Sequence, residues 1–147
     1  MIFVFGSNLK GIHGAGAAKY AAQFYGAQKG VGEGWWGNSY AIPTCSEPGV
    51  PLPLSEIKKH VDTFLDWAHR RWELTAYAGQ VIVVTRIGCG YAGYTDNQIA
   101  PMFRQTPDNV WLPARWVNMV HQEGFNEGYK TGIITCQAIL KEERDKL

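Results

Sequence analysis

The chain has 147 residues, 46% of them hydrophobic and 18% charged, with a formal net charge of +1. That is the size of one domain able to bury its own core, and the near-zero charge argues against a broad nucleic-acid surface, which needs concentrated Lys and Arg. Cys45, Cys89 and Cys136 lie far apart with no CxxC spacing, which argues against a zinc site or a disulfide framework and for a reducing compartment.

Ile2-Phe3-Val4-Phe5 is a short apolar run that predicts a buried strand ending at Gly6-Ser7-Asn8. It is too short for a signal peptide, and no apolar run reaches the length of a membrane span. The expectation is therefore a cytoplasmic protein with no membrane partner and no resident metal or cofactor. After a loop through His13, Gly14-Ala15-Gly16-Ala17-Ala18 opens a helix to about Tyr25, closed by Gly26. Residues 26–39 form a second glycine-rich stretch with Trp35 and Trp36, read as loop with room for a short strand. Tyr40-Ala41-Ile42 predicts a strand that stops at Pro43, and Pro48, Pro51 and Pro53 keep the chain extended.

Ser55 is a candidate N-cap for an amphipathic helix. Ile57, Val61, Phe64, Leu65, Ala68 and Trp72 fall on its apolar face, and Lys58, Lys59, Asp62, Asp66, Arg70 and Arg71 face elsewhere. Val81–Val84 is a strand apolar on both faces, as a largely parallel sheet requires. It runs into Gly88-Cys89-Gly90-Tyr91-Ala92-Gly93. A short helix over Asn97–Phe103 and a strand at Asn109–Leu112 complete a core of about residues 2–112. Residues 113–147 form a C-terminal extension, with a candidate edge strand at Ile133–Cys136 and a charged helix at Ala138–Leu147. Alternating strands and helices without a linker or repeat predict one α/β domain.

Two of these strands end in glycine-rich turns, and in an open α/β sheet ligands bind outside the carboxyl ends of strands. The first turn also feeds a helix N-terminus, where unpaired N–H groups attract phosphate. The candidate ligand-binding residues are Ser7, Asn8, His13, Gly14, Ala15, Gly16 and Ala17 on the first loop, and Ile87, Gly88, Cys89, Gly90 and Tyr91 on the second. The alternative is that both loops only pack helix against sheet. His13 is either a ligand contact and acid near neutral pH or a turn-ordering loop residue. Asn8 is either a ribose contact or a turn former, and Asp96 either orients a water or ribose or caps the helix that follows. Cys89 has no base partner in the sequence, so a small buried residue is expected rather than a nucleophile. Trp35, Trp36 and Tyr91 are candidates for stacking on a base, or core residues.

The two loops and their spacing resemble those of macrodomains, the ADP-ribose-binding α/β/α modules. Asn8 ends an apolar strand and Gly14-Ala15-Gly16 begins six residues later; Gly26 closes the next helix; Ile87-Gly88-Cys89-Gly90-Tyr91-Ala92-Gly93 resembles the second phosphate loop. Ile42-Pro43-Thr44 is similar to the Pro-Thr before the catalytic lysine of the branch that removes ADP-ribose from DNA. The compact chain also resembles small macro-like proteins of bacteria and their phages. There are departures. Cys45 stands at the lysine position, Ala18 stands where the protein-directed branch often has aspartate, and Asp96 falls one residue beyond the acidic residue of the DNA-directed branch. The strand that precedes the asparagine strand, with its adenine-holding aspartate, has no counterpart.

The resemblance implies a three-layer α/β/α fold with a mixed, largely parallel sheet. It also implies a partner that is an ADP-ribose-like small molecule or an ADP-ribosylated target. Three functions compete: a module that binds and sequesters an NAD-derived nucleotide diphosphate; an ADP-ribosyl glycohydrolase positioned by Asn8, His13 or Asp96; and a non-catalytic protein-interaction domain.

Overall fold

The computed structural model describes residues 1–120. Strand β1 (Ile2–Asn8) leads to helix α1 (Gly16–Phe24), then β2 (Gly34–Trp36), β3 (Ser39–Glu47), β4 (Val50–Pro51) and the long helix α2 (Leu54–Trp72). Strand β5 (Ile82–Val84), helix α3 (Asp96–Ile99), β6 (Val110–Trp111) and α4 (Ala114–Val120) follow, with 3-10 turns at Thr75–Tyr77 and Ala100–Phe103. The strands form one sheet in the order β2-β3-β1-β5-β6, with β4 also on β3. Pairing of β1 with β3, β1 with β5 and β5 with β6 is parallel, while β2 and β4 run antiparallel to β3. The protein is thus α/β with a mixed, mostly parallel sheet.

The period-two alternation of β1 places its side chains on opposite faces. Ile2 and Val4 join Ile42, Ile82, Val84 and the α2 residues Ile57, Val61, Phe64 and Ala68 in the larger core. Phe3 and Phe5 face the other way, onto Ala18, Ala21 and Tyr25 of the α1 side. The small residues of α1 let it lie close to the sheet, with Phe3 and Tyr25 stacked at 4.6 Å. Ile82, Val83 and Val84 are fully buried, as their two-sided apolar pattern requires.

β1 ends at Asn8, within the Gly6-Ser7-Asn8 stretch where its end is expected, and β3 pairs with it from Phe3 to that point. Other elements differ from expectation. β3 runs through Pro43. It pairs with β2 only as far as Ala41 and with β4 only from Cys45, so the proline sits in the gap, next to a register shift against β1. This is where a strand tolerates a missing N–H. Pro53, not Ser55, occupies the N-cap of α2. Trp72 is 45% exposed, and Arg71 takes the buried place instead. The Arg71 guanidinium lies 3.6 Å from the Tyr77 ring, 4.3 Å from Trp35 and 5.1 Å from Trp67, and its Nε donates to Gln80 Oε1 at 2.6 Å. Stacking on aromatic faces together with one strong acceptor offsets the desolvation of the charge.

The core also extends beyond residue 112, since Trp116 and Val117 of α4 are buried in it. The strand expected at Ile133–Cys136 and the helix expected at Ala138–Leu147 lie outside the described residues. Among the described residues no helix is long and apolar enough to cross a membrane.

Candidate functional site

Chain order and sheet order diverge at β1: the chain passes to β3 on one side of it and later to β5 on the other. In a doubly wound sheet such a reversal opens a crevice at the carboxyl ends of the strands. A cleft of about 570 Å³ lies there, within the range of small-molecule sites. Its walls are the end of β1 (Gly6, Ser7, Asn8), the start of α1 (Gly14, Ala15, Gly16, Ala17, Ala18), the end of β3 with its hairpin (Thr44, Cys45, Pro48, Gly49), and the segment after β5 from Thr85 to Ala92, with Ile12 at the side. The two glycine loops singled out in the sequence thus come together in one site.

The first loop is tightly braced. The Asn8 side-chain amide donates to the Ile12 carbonyl at 2.9 Å, and the Ile12 N–H donates back to Asn8 Oδ1 at 3.1 Å. Gly11 N–H closes the turn on the Asn8 carbonyl at 2.9 Å. Behind it, the Ser7 hydroxyl donates to the Gly32 carbonyl, and Gly30 N–H donates to the Gly11 carbonyl at 2.9 Å. Both polar side chains expected to meet a ligand, Ser7 and Asn8, border the cleft but are engaged in holding the loop. His13 is displaced further. It does not line the cleft; its ring packs edge-on against Phe5 at 5.3 Å, and both ring nitrogens are shut off from solvent. Burial holds its pKa below the ordinary histidine value, against an opposing pull from the Val31 backbone.

What the first loop presents instead is backbone. Ala15 occupies the N-cap of α1 without any side-chain cap, and the first-turn residues Gly16, Ala17 and Ala18, whose N–H groups have no intrahelical acceptor, line the cleft. Gly16 has φ +57°, and a methyl there would also meet the Tyr91 ring at 3.2 Å. Tyr91, 73% exposed, thereby reaches across from the second loop to the first.

The second loop is anchored by Asp96, which lies outside the cleft lining. The Arg86 guanidinium donates to it through Nε at 2.9 Å and Nη2 at 2.8 Å, Trp116 Nε1 at 2.6 Å, and the Cys89 thiol at 3.6 Å. These donors, Arg86 foremost, pull the Asp96 carboxyl down to about 2. Asp96 is not the N-cap of α3. Thr95 is, with its N–H on Gln98 Oε1 at 2.9 Å in a capping box. Cys89 lines the cleft, but burial, with the Asp96 charge next, pushes its thiol up to about 11. It is a protonated donor at neutral pH, and a neighbouring carboxylate makes it less nucleophilic. Ile87 lines the cleft and is also buried in the larger core. Trp35 packs on Arg71, Trp67 and Tyr77 and does not line the cleft; nor does Trp36.

Thr44, Cys45, Pro48, Gly49, Thr85 and Arg86 line the cleft although reading the residues in order did not place them there. Of these, Arg86 carried a signal: a charged side chain directly between an apolar strand and a glycine turn. It is the one permanently charged residue among the described lining residues, which include no carboxylate.

Among the described residues no group of three or more His, Cys, Asp or Glu is placed to hold a metal ion. The chain matches no protein-family model, no curated protein and no solved structure.

Proposed function

We propose that the cleft binds a nucleotide diphosphate of the ADP-ribose type, with the diphosphate lying between the two glycine loops of a three-layer, macrodomain-like α/β/α fold. The observation that carries this reading is a pair of glycines that the protein itself does not require. Gly14 and Gly90 stand one on each loop and both line the cleft. Neither has a left-handed backbone, and a Cβ on either would meet nothing within 4 Å. Glycine with neither a conformational nor a packing reason, in a cleft wall, is what close approach of a ligand to the backbone calls for. The uncapped first turn of α1 supplies N–H donors and the positive end of a helix dipole. Among the described residues the lining adds one cation, Arg86, and no carboxylate.

The reading is of binding rather than hydrolysis. The three candidate catalytic groups are committed elsewhere: Asn8 to the loop, His13 to the Phe5 face, and Asp96 to Arg86, Trp116 and Cys89. A general base needs a free basic atom within hydrogen-bond reach of its proton. A carboxylate at about 2 that already accepts from three side chains is a weak one.

Calorimetric titration with ADP-ribose, set against AMP and NAD, tests the proposal. Micromolar binding of ADP-ribose, about −8 kcal/mol, with the ligand recovered chemically unchanged, is expected. Absence of heat and of a thermal shift with all three would refute it, and turnover of an ADP-ribosylated target would move the protein to the glycohydrolase reading.

A further inference from the structure

Arg86 is held in an unusual way. One edge of its guanidinium, Nε and Nη2, is given to the two oxygens of Asp96 at 2.9 and 2.8 Å. The remaining N–H groups, both on Nη1 and one on Nη2, have no acceptor among the described residues. Yet the side chain is 46% exposed and lines the cleft, whereas its carboxylate partner is only 16% exposed and lies behind it.

Asp96 is itself fixed by Trp116 Nε1, and Trp116 is fully buried in the core. It is not needed as a helix cap, since Thr95 serves there. The pair therefore differs from an ordinary surface salt bridge, in which two mobile chains meet in water and contribute little. Here the carboxylate is anchored to the core and clamps the back edge of an arginine whose front edge is unfilled. A guanidinium fixed in this way loses little further freedom when it binds a second oxyanion, and its planar fork suits phosphate.

We propose that Arg86 is the charge-selecting residue of the cleft, contacting the diphosphate oxygens through the edge that Asp96 leaves open, with Asp96 as its positioning residue. The inference rests on the diphosphate reading above and deepens it. The backbone N–H groups of the loops donate to any oxygen and carry only the partial charge of the α1 dipole. Most of the discrimination between an anionic and an uncharged nucleoside therefore falls to Arg86, the one full cation among the described lining residues. The bidentate pairing also keeps Arg86 in place without ligand, so selection needs no rearrangement of the loop.

The test is calorimetry of the full chain with ADP-ribose, ADP and adenosine at low and high salt, on the native protein, Arg86→Gln and Arg86→Lys, with melting temperatures as a control on folding. Native protein should bind ADP-ribose and ADP, and salt should weaken that binding. Arg86→Gln should weaken both by about ten- to a hundredfold and flatten the salt dependence, with affinity for adenosine the same as in the native protein. Arg86→Lys, which keeps the charge but not the fork, should fall between, and it carries the test if Arg86→Gln does not fold. Native-like ADP-ribose binding by both variants overturns the proposal while leaving the diphosphate reading intact. An equal loss for adenosine and ADP-ribose also overturns it, because that signals a damaged cleft rather than lost charge selection. Failure of the native protein to bind either diphosphate removes the diphosphate reading and this inference with it.

Discussion

Gly11 and Gly14 stand three residues apart, yet they belong to two sets of glycines that are glycine for opposite reasons. Gly11 and Gly32 belong to the contact between the first loop and the stretch after α1. A Cβ on Gly32 would fall 2.3 Å from the Asn8 carbonyl oxygen, and one on Gly11 would fall 2.4 Å from the Gly30 carbonyl carbon. Gly14 and Gly90 belong to the cleft wall, where a Cβ would meet open space. The first set is filled by the protein's own backbone. The second set faces a volume that the protein leaves empty. Glycine content alone does not separate the two, because a residue without a side chain records that something comes close but not what it is.

The strongest way to break this distinction is to substitute the packed set. Gly32→Ala should cost about 3 kcal/mol or more, since the clash is with backbone and not with the end of a flexible side chain. In melting temperature that is a fall of roughly 10 °C. A variant that melts like the native protein would show that Gly32 has room for a methyl group beside the Asn8 carbonyl.

A smaller loss is expected at the brace itself. Asn8→Ala removes both hydrogen bonds between the side chain and Ile12 and should destabilise by about 2 kcal/mol, measured by urea denaturation. If Asn8 instead served mainly as a ligand contact, stability would hold while ADP-ribose affinity fell.

The cleft set should behave the other way round. Gly14→Val and Gly90→Val should leave the melting temperature within about 2 °C of native, an interval worth under about 1 kcal/mol. Each should lower ADP-ribose affinity by at least about tenfold, or about 1.4 kcal/mol. Equal affinity in both variants would mean that no ligand approaches the backbone there, and would place all the glycines in one packing class.

The smallest effect concerns the anchor of the second loop and depends on pH. The Asp96 carboxyl titrates near 2 in the fold against an ordinary 3.8. Its contribution is complete above the ordinary value and is lost as the pH falls through that value toward the folded one. Because Arg86 is half exposed, solvent screening limits the contribution to about 1 kcal/mol. Between about pH 5 and pH 2 the native protein should therefore lose about 1 kcal/mol more stability than Asp96→Asn. Parallel stability curves for the two proteins would show that the anchor adds nothing.

Much of this architecture is legible along the chain. The apolar runs at 2–5 and 81–84 and the 3.6-residue period after Ser55 report β1, β5 and α2, because burial on one or both faces imposes its repeat on the residues themselves. The glycine clusters after β1 and β5 mark the two loops that line the cleft. Less legible were positions where a partner distant in sequence overrides a local rule. Pro43 stays inside a strand because its antiparallel neighbours stop short of it. Arg71 is buried because Trp35 and Tyr77 enclose its charge. His13 and Asn8, both plausible ligand residues by type and position, are taken up by Phe5 and Ile12.

The sequence by itself determined the element types, the α/β class and the location of the two backbone-rich loops, since each depends on residues close together in the chain. Only the tertiary structure decided that the ends of β1, β3 and β5 meet, that Thr44, Cys45 and Arg86 share a wall with the glycines, and that Asp96 stands behind that wall rather than in it. The physical reason is that strand order and side-chain pairing are settled by contacts between residues far apart in sequence, such as Arg71 with Trp35 and Asp96 with Trp116, and these leave no periodic trace along the chain.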